Sequence, residues 1–339
     1  MRVELTGVGG WRHELTGCLH VTLGALLSFH GLDPVEVLGA NWEFSHVPGL
    51  LRREEYFLPG EHESLLSGLA PYHQVSSRWH EPADAESAWP EVREAVAAGR
   101  PVAVAADNFY LPFRPAFADV HTNHLVTVYG FDDEKGEALV ADAVPPRFRG
   151  PLSLADLSAA RGSANQVRHD RDMFFTDNPI GHRWLDIEVG VPRPAFDQEF
   201  IRGVTASNAK RFRRRGATGY VGLTGQQAFL AAIADRLAAG LGDAVDEAFV
   251  VAGPVLAMTA LHARWLASAA ARFSCPQLLE AARAVDRVAH HWTAVRIIAA
   301  AGRDDLDRAA RSLSARAVAL ASDHERAISL IEDATADLA

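Results

Sequence analysis

Cysteine is scarce in this chain. Cys18 and Cys275, the only 2 among 339 residues, cannot build a disulfide framework. They suit a reducing compartment, so a cytoplasmic location is expected. The start of the chain, Met1-Arg2-Val3-Glu4-Leu5, has neither a long apolar run nor a cleavage site. No run of about 18 uninterrupted apolar residues occurs, so neither secretion nor a membrane span is expected. Positive charge is also in short supply: 33 Lys and Arg stand against 43 Asp and Glu, for a formal net charge of -10. A general nucleic-acid binder needs a basic surface to hold phosphates, so that class is not expected either. The chain has no HExxH and no CxxC pair, and no metal or resident cofactor is predicted.

What is present is ordinary for a globular protein, at 48% hydrophobic and 22% charged residues. The length allows about two domains. Thr16-Gly17-Cys18-Leu19-His20 is the stretch richest in chemistry. With Thr16 as N-cap, Leu19, Leu23, Leu26 and Leu27 recur on one helical face, and Gly31 offers a stop. Cys18 then lies in the first helical turn. Unpaired N–H groups and the positive end of the helix dipole stabilise negative charge on a sulfur placed there. The plainer alternative is a small buried hydrophobe. His20 can equally be a helix-surface residue.

Gly39 to Phe44 reads as a loop, whose Trp42 and Phe44 either line a substrate pocket or anchor the loop to the core. Ala88–Ala98 reads as a helix with Pro90 in its first turn. From Arg100 the pattern becomes strands: Pro101–Ala105, His124–Tyr129 and Ala138–Asp142, the last two joined by the turn Phe131–Gly136. A hairpin centred near Asp133 sets His124 across from Asp142. A carboxylate beside an imidazole fixes its tautomer while the other ring nitrogen takes a thiol proton, so Cys18, His124 and Asp142 form a candidate catalytic set. His121 is a rival base or, with Tyr110, a substrate-binding residue.

The runs Asp107-Asn108-Phe109-Tyr110-Leu111-Pro112-Phe113, His121 to Asp132, and Val140-Ala141-Asp142 resemble the N-terminal domain of the butirosin biosynthesis protein H family. The similarity spans much of residues 10–160. It implies a papain-like cysteine peptidase fold, with Cys18 as nucleophile, His124 as base then acid, and Asp142 as orienter. It also implies transfer of an aminoacyl group from a carrier-protein thioester to an amine. The family often has histidine directly before the cysteine and an acidic residue after it; this chain has Gly17 and Leu19.

Further along, a helix begins at Ser153, and His169–Phe175 and Trp184–Val191 read as strands. Pro192-Arg193-Pro194 marks a boundary between a catalytic domain of residues 1–192 and an all-α bundle of residues 195–339, an α+β chain as a whole. The expected helices are Phe196–Arg215, Gly225–Ala239, Ala244–Phe273, Pro276–Ala301 and Asp304–Leu338. His262, Trp265, His290, His291 and Trp292 read as core or interhelical groups, and Cys275 as structural. Lys210, Arg211, Arg213, Arg214 and Arg215 are a candidate docking site for an acyl or peptidyl carrier protein, whose phosphopantetheine belongs to the carrier. Their alternative is a solvated helix end meeting the negative dipole.

The expected reaction joins an acyl group to a small-molecule amine through acyl-Cys18. The rivals are a peptidase or amidase, a thioester hydrolase or cyclase, and a non-enzymatic carrier-binding scaffold. Self-association is compatible with each of them.

Overall fold

A computed structural model describes residues 1–48, 64–168, 178–191, 193–216 and 219–336. Its first elements are β1 (Arg2–Glu4), α1 (Cys18–Phe29), α2 (Pro34–Leu38), β2 (Ser45–His46), β3 (Val75–His80), α3 (Ala85–Ala97) and β4 (Val102–Asp107). There follow β5 (Asn123–Asp132), β6 (Glu137–Asp142), β7 (Phe148–Ser153), α4 (Leu154–Arg161) and β8 (Trp184–Val189). The rest is α5 (Gln198–Arg213), β9 (Tyr220–Val221), α6 (Gly222–Ala238), α7 (Asp243–Phe273), α8 (Pro276–Ala301) and α9 (Leu306–Ala336). The class is α+β, with a sheet region followed by a helical region. The expected strand His169–Phe175 lies outside the described residues.

The chain divides into two units, Met1–Pro34 with Val75–Gly190, and Val35–Gln74 with Val191–Ala339. This differs from a single cut near residue 192, because residues 35–48 and 64–74 fold with the C-terminal helices.

In the first unit a seven-stranded antiparallel sheet runs β3-β8-β4-β5-β6-β7, with β1 also on β5. The length of β5 explains the branching. Its residues 123–128 pair with β4 and residues 130–132 with β1, while β6 takes 127–132 on the other edge. The near-continuous apolar run of β4 is buried at all six positions, as expected for a strand covered on both faces. Val104, Val126, Val128 and Val140 pack with Val92 and Val96 of α3 and Leu157 of α4. Strand alternation sends Tyr129, Leu139 and Ala141 to the opposite face, where Phe29 of α1 joins them.

Three local readings need correction. Gly17, not Thr16, caps α1; the Thr16 hydroxyl instead donates to the His13 carbonyl over 2.7 Å. Helix α3 starts three residues early because Asp84 and Ser87 form a capping box, which leaves Pro90 beyond the first turn. The β5–β6 pairing is Thr127 with Ala141, and it shifts at a bulge between Val128 and Gly130. Extended by one step, it sets Asp142 across from Val126, a diagonal neighbour of His124 on the same face.

In the helical unit, α8 packs against α7 and α9, and α9 also packs against α6 and α5. Helix α7 is long and apolar enough to cross a membrane by length and composition, yet 72% of its apolar window is buried in the protein. The segment carrying Trp42 is held by specific contacts. Its indole N–H donates to Thr259 Oγ1 over 3.2 Å, and its ring lies 4.9 Å from both His262 and His324 in stacked geometry. His290 is exposed on α8, unlike the buried His262, Trp265, His291 and Trp292.

Candidate active site

Helix α1 opens at Cys18, so the sulfur sits on the first helical residue. The cap Gly17 is extended, at φ -85° and ψ 179°, and supplies no side-chain acceptor. The first-turn N–H groups, which have no intrahelical partner, are therefore free of a competing cap. The side chains pointing inward anchor the helix: Leu23, Leu26 and Leu27 are fully buried. Gly24 is required where Trp11 lies across the helix, since a Cβ there would fall 2.0 Å from Trp11 Cε3. Cys18 itself is half-buried. His20, two residues on, is buried rather than on the helix surface; burial first, then the neighbouring His13 charge, lowers its pKa to about 4.

His124 and Asp142 come from the adjacent strands β5 and β6, and both are buried. Nε2–H of His124 donates to Asp142 Oδ2 over 2.7 Å. The His124 side chain also hydrogen-bonds with Cys18. With Nε2 committed to the carboxylate, Nδ1 is the nitrogen left for the sulfur. Burial pulls the His124 pKa down, but the charge and hydrogen bond of Asp142, followed by those of Cys18, outweigh it and raise the value to about 9. At neutral pH the ring therefore holds a proton between a carboxylate and a sulfur.

Asp142 is itself fixed on both oxygens. Val144 N–H donates to Oδ1 over 2.8 Å, and Arg114 Nη1 donates to Oδ2 over 3.0 Å. Sequence reasoning missed Arg114. It stands in a loop with no periodicity, and nothing in its spacing from Asp142 announces the contact.

A second carboxylate–imidazole pair lies close in sequence. Fully buried Asp107 accepts from His121 Nδ1 and Ser163 Oγ, each over 2.6 Å, and from the N–H groups of Phe109 and Thr122. His121 also stacks on Phe109, with ring centroids 4.1 Å apart. The pair thus ties the start of β5 to the ends of β4 and α4. Tyr110 and His121 line a cavity of about 210 Å³ together with Ser163, Asn165, Gln166 and Arg168. His121 has its own carboxylate, and the histidine that meets Cys18 is His124.

The other candidate binding residues lie in the helical unit. Trp42 and Phe44 are 1% and 2% exposed, with Phe44 stacked against Trp292. They are core anchors there, which leaves no ring face for a substrate. Arg211 donates to Asn41 Oδ1 over 2.6 Å and to Glu43 Oε1 over 3.3 Å. Arg213 bridges Glu325 and Glu332 on α9. These two arginines are engaged within the fold, and Lys210, Arg213, Arg214 and Arg215 are exposed. Among the described residues, no three His, Cys, Asp or Glu side chains converge as a metal site requires.

A half-buried cysteine at a helix start, hydrogen-bonded to a histidine that a carboxylate orients, has the geometry of nucleophilic-cysteine sites. Residues 17–143 match the family model described as butirosin biosynthesis protein H, N-terminal. The matched stretch begins one residue before Cys18 and ends one after Asp142. The family name connects the region to antibiotic biosynthesis and points to a biosynthetic enzyme. No curated protein matches the chain.

Proposed function

We propose that the protein is a cysteine-dependent acyltransferase with a papain-like arrangement of Cys18, His124 and Asp142. It moves an acyl or aminoacyl group from a carrier-protein thioester to a small-molecule amine. The single observation that carries this reading is the chain of contacts from Cys18 through His124 to Asp142.

Cys18 Sγ, its proton held on His124, attacks the thioester carbonyl. The C–S bond to the carrier's phosphopantetheine breaks, and the departing sulfur takes the proton from His124. The oxyanion formed on the way lies where the Cys18 N–H can donate to it. An amine then attacks acyl-Cys18 and gives its proton to the now neutral His124. The amide leaves, and Cys18 and protonated His124 are restored. A thioester suits this route because exchange between two sulfurs is nearly balanced, while amide formation drives the second half.

Tyr110 and His121 are assigned to the substrate side through the cavity they line. Lys210, Arg214 and Arg215 are exposed cations assigned to docking an acidic carrier protein. A reducing cytoplasm would keep Cys18 as a thiol. The reading is tested by intact-protein mass spectrometry after mixing with acyl-pantetheine thioesters. An adduct is expected on the wild type and not on Cys18→Ala, and an amine should discharge it faster than water. Faster discharge by water would make the protein a hydrolase, and no adduct across a broad panel would remove the enzyme reading.

A further inference from the structure

Asp142 Oδ2 accepts two hydrogen bonds, from His124 Nε2 over 2.7 Å and from Arg114 Nη1 over 3.0 Å. The Arg114 side chain is 9% exposed, and the same Nη1 also donates to the Val144 carbonyl over 2.9 Å. Its loop is built to hold it. Arg114 N–H donates to the carbonyl of fully buried Leu111 over 2.9 Å. The neighbouring Phe113 stacks on Phe148 at 4.1 Å, and Phe148 is the β7 partner of Asp142. A cation is thereby placed on the same carboxylate oxygen that the imidazole uses.

We propose that Arg114 is a positioning residue for the reaction: by sharing Oδ2 of Asp142 with His124, it orients the carboxylate and limits how firmly His124 holds its proton. The inference rests on the Cys18–His124–Asp142 reading. A buried carboxylate facing an imidazole alone favours the imidazolium strongly. The proposed route needs His124 to give its proton to one sulfur and later take another from an amine. A cation on the same oxygen draws off part of the carboxylate's charge and repels the imidazolium, which brings the two forms closer in energy. The groups facing His124 are Cys18 from α1 and Asp142 from β6; those facing Asp142 are His124 from β5 and Arg114 from its loop.

The test follows the rate of Cys18 alkylation by iodoacetamide against pH, read on the Cys18 peptide by mass spectrometry, and needs no knowledge of the substrate. Arg114→Gln and Arg114→Met are expected to move the alkaline step of that profile upward by about one pH unit. Arg114→Lys, which keeps the charge, should stay near wild type. A folded charge-removing variant with the wild-type profile overturns the proposal. So does an Arg114→Lys shift as large as that of Arg114→Gln. Loss of folding in both charge-removing variants, with Arg114→Lys folded and unshifted, overturns it in favour of a purely structural role. A wild-type Cys18 that alkylates like an ordinary thiol overturns the triad reading, and this inference with it; a wild-type profile unlike an ordinary thiol's, with unshifted variants, removes Arg114 alone.

Discussion

At the scale of single residues, the two carboxylate–histidine pairs around the start of β5 do different things. His124 is held between Asp142 and Cys18, whereas His121 is held between Asp107 and the Phe109 ring. Replacing His124 by Gln should slow adduct formation on Cys18 by about 10³- to 10⁴-fold, the usual worth of a positioned proton carrier. A stopped-flow assay with an activated thioester gives that rate, and a variant as fast as wild type would rule His124 out. Asp107→Ala should act on stability instead. It strands a buried imidazole, a hydroxyl and two N–H groups, a loss of about 3 kcal/mol in urea unfolding. Cys18 alkylation in that variant should keep its wild-type pH profile.

At the scale of elements, α1 is the part whose exact seating decides whether Cys18 reaches His124. Gly24 makes room for Trp11 against that helix, and a methyl group there meets the indole at well under contact distance. Gly24→Ala should cost about 1–3 kcal/mol through this overpacking. Adding Trp11→Ala should recover part of it if the clash is the cause, as thermal melts of the single and double variants would reveal. The hairpin shows how pattern and geometry part company. Counting from Asp133 correctly brings His124 and Asp142 together, but it sets them directly opposite. The bulge at Val128 and Gly130 makes them diagonal, and a bulge leaves no mark in hydrophobic periodicity. The early start of α3 was legible in principle, since Asp84 followed by Ser87 three residues on is a capping pattern.

For the whole molecule, stability should follow opposing histidine titrations. The pKa of His124, raised to about 9 against an ordinary 6.5, means its contribution is complete below 6.5 and is lost as pH rises through about 9. His262 and His324 lie the other way. Burial lowers them to about 4 and about 3, so the fold holds them neutral, and their contribution is lost as pH falls from 6.5 through those values. The melting temperature should therefore peak near pH 6.5 and decline on both sides. A melting temperature that climbs steadily from pH 6.5 to 9 would contradict the assignment of His124. A second test concerns the division of the chain. A fragment of residues 1–192 would carry Trp42 and Phe44 without Thr259, His262, Trp292 and His324, their partners in the helical unit. It should bind an apolar dye and aggregate, whereas the full chain should not.

Some of this was decided by the sequence alone. The α+β class, the bundle helices and the placement of Cys18 at a helix start follow from apolar periodicity and from glycine and proline punctuation, because such signals act over a few neighbouring residues. The matched family region was legible for the same reason, as an ordered string of local motifs. Other features arose only in the tertiary structure. Arg114 reaches Asp142 across 28 residues, and Ser163 reaches Asp107 across 56. Trp42 meets Thr259 across 217. Periodicity tells which residues turn inward, but which buried groups meet is set by packing, and the energy of a hydrogen bond depends on distance and burial rather than on separation along the chain.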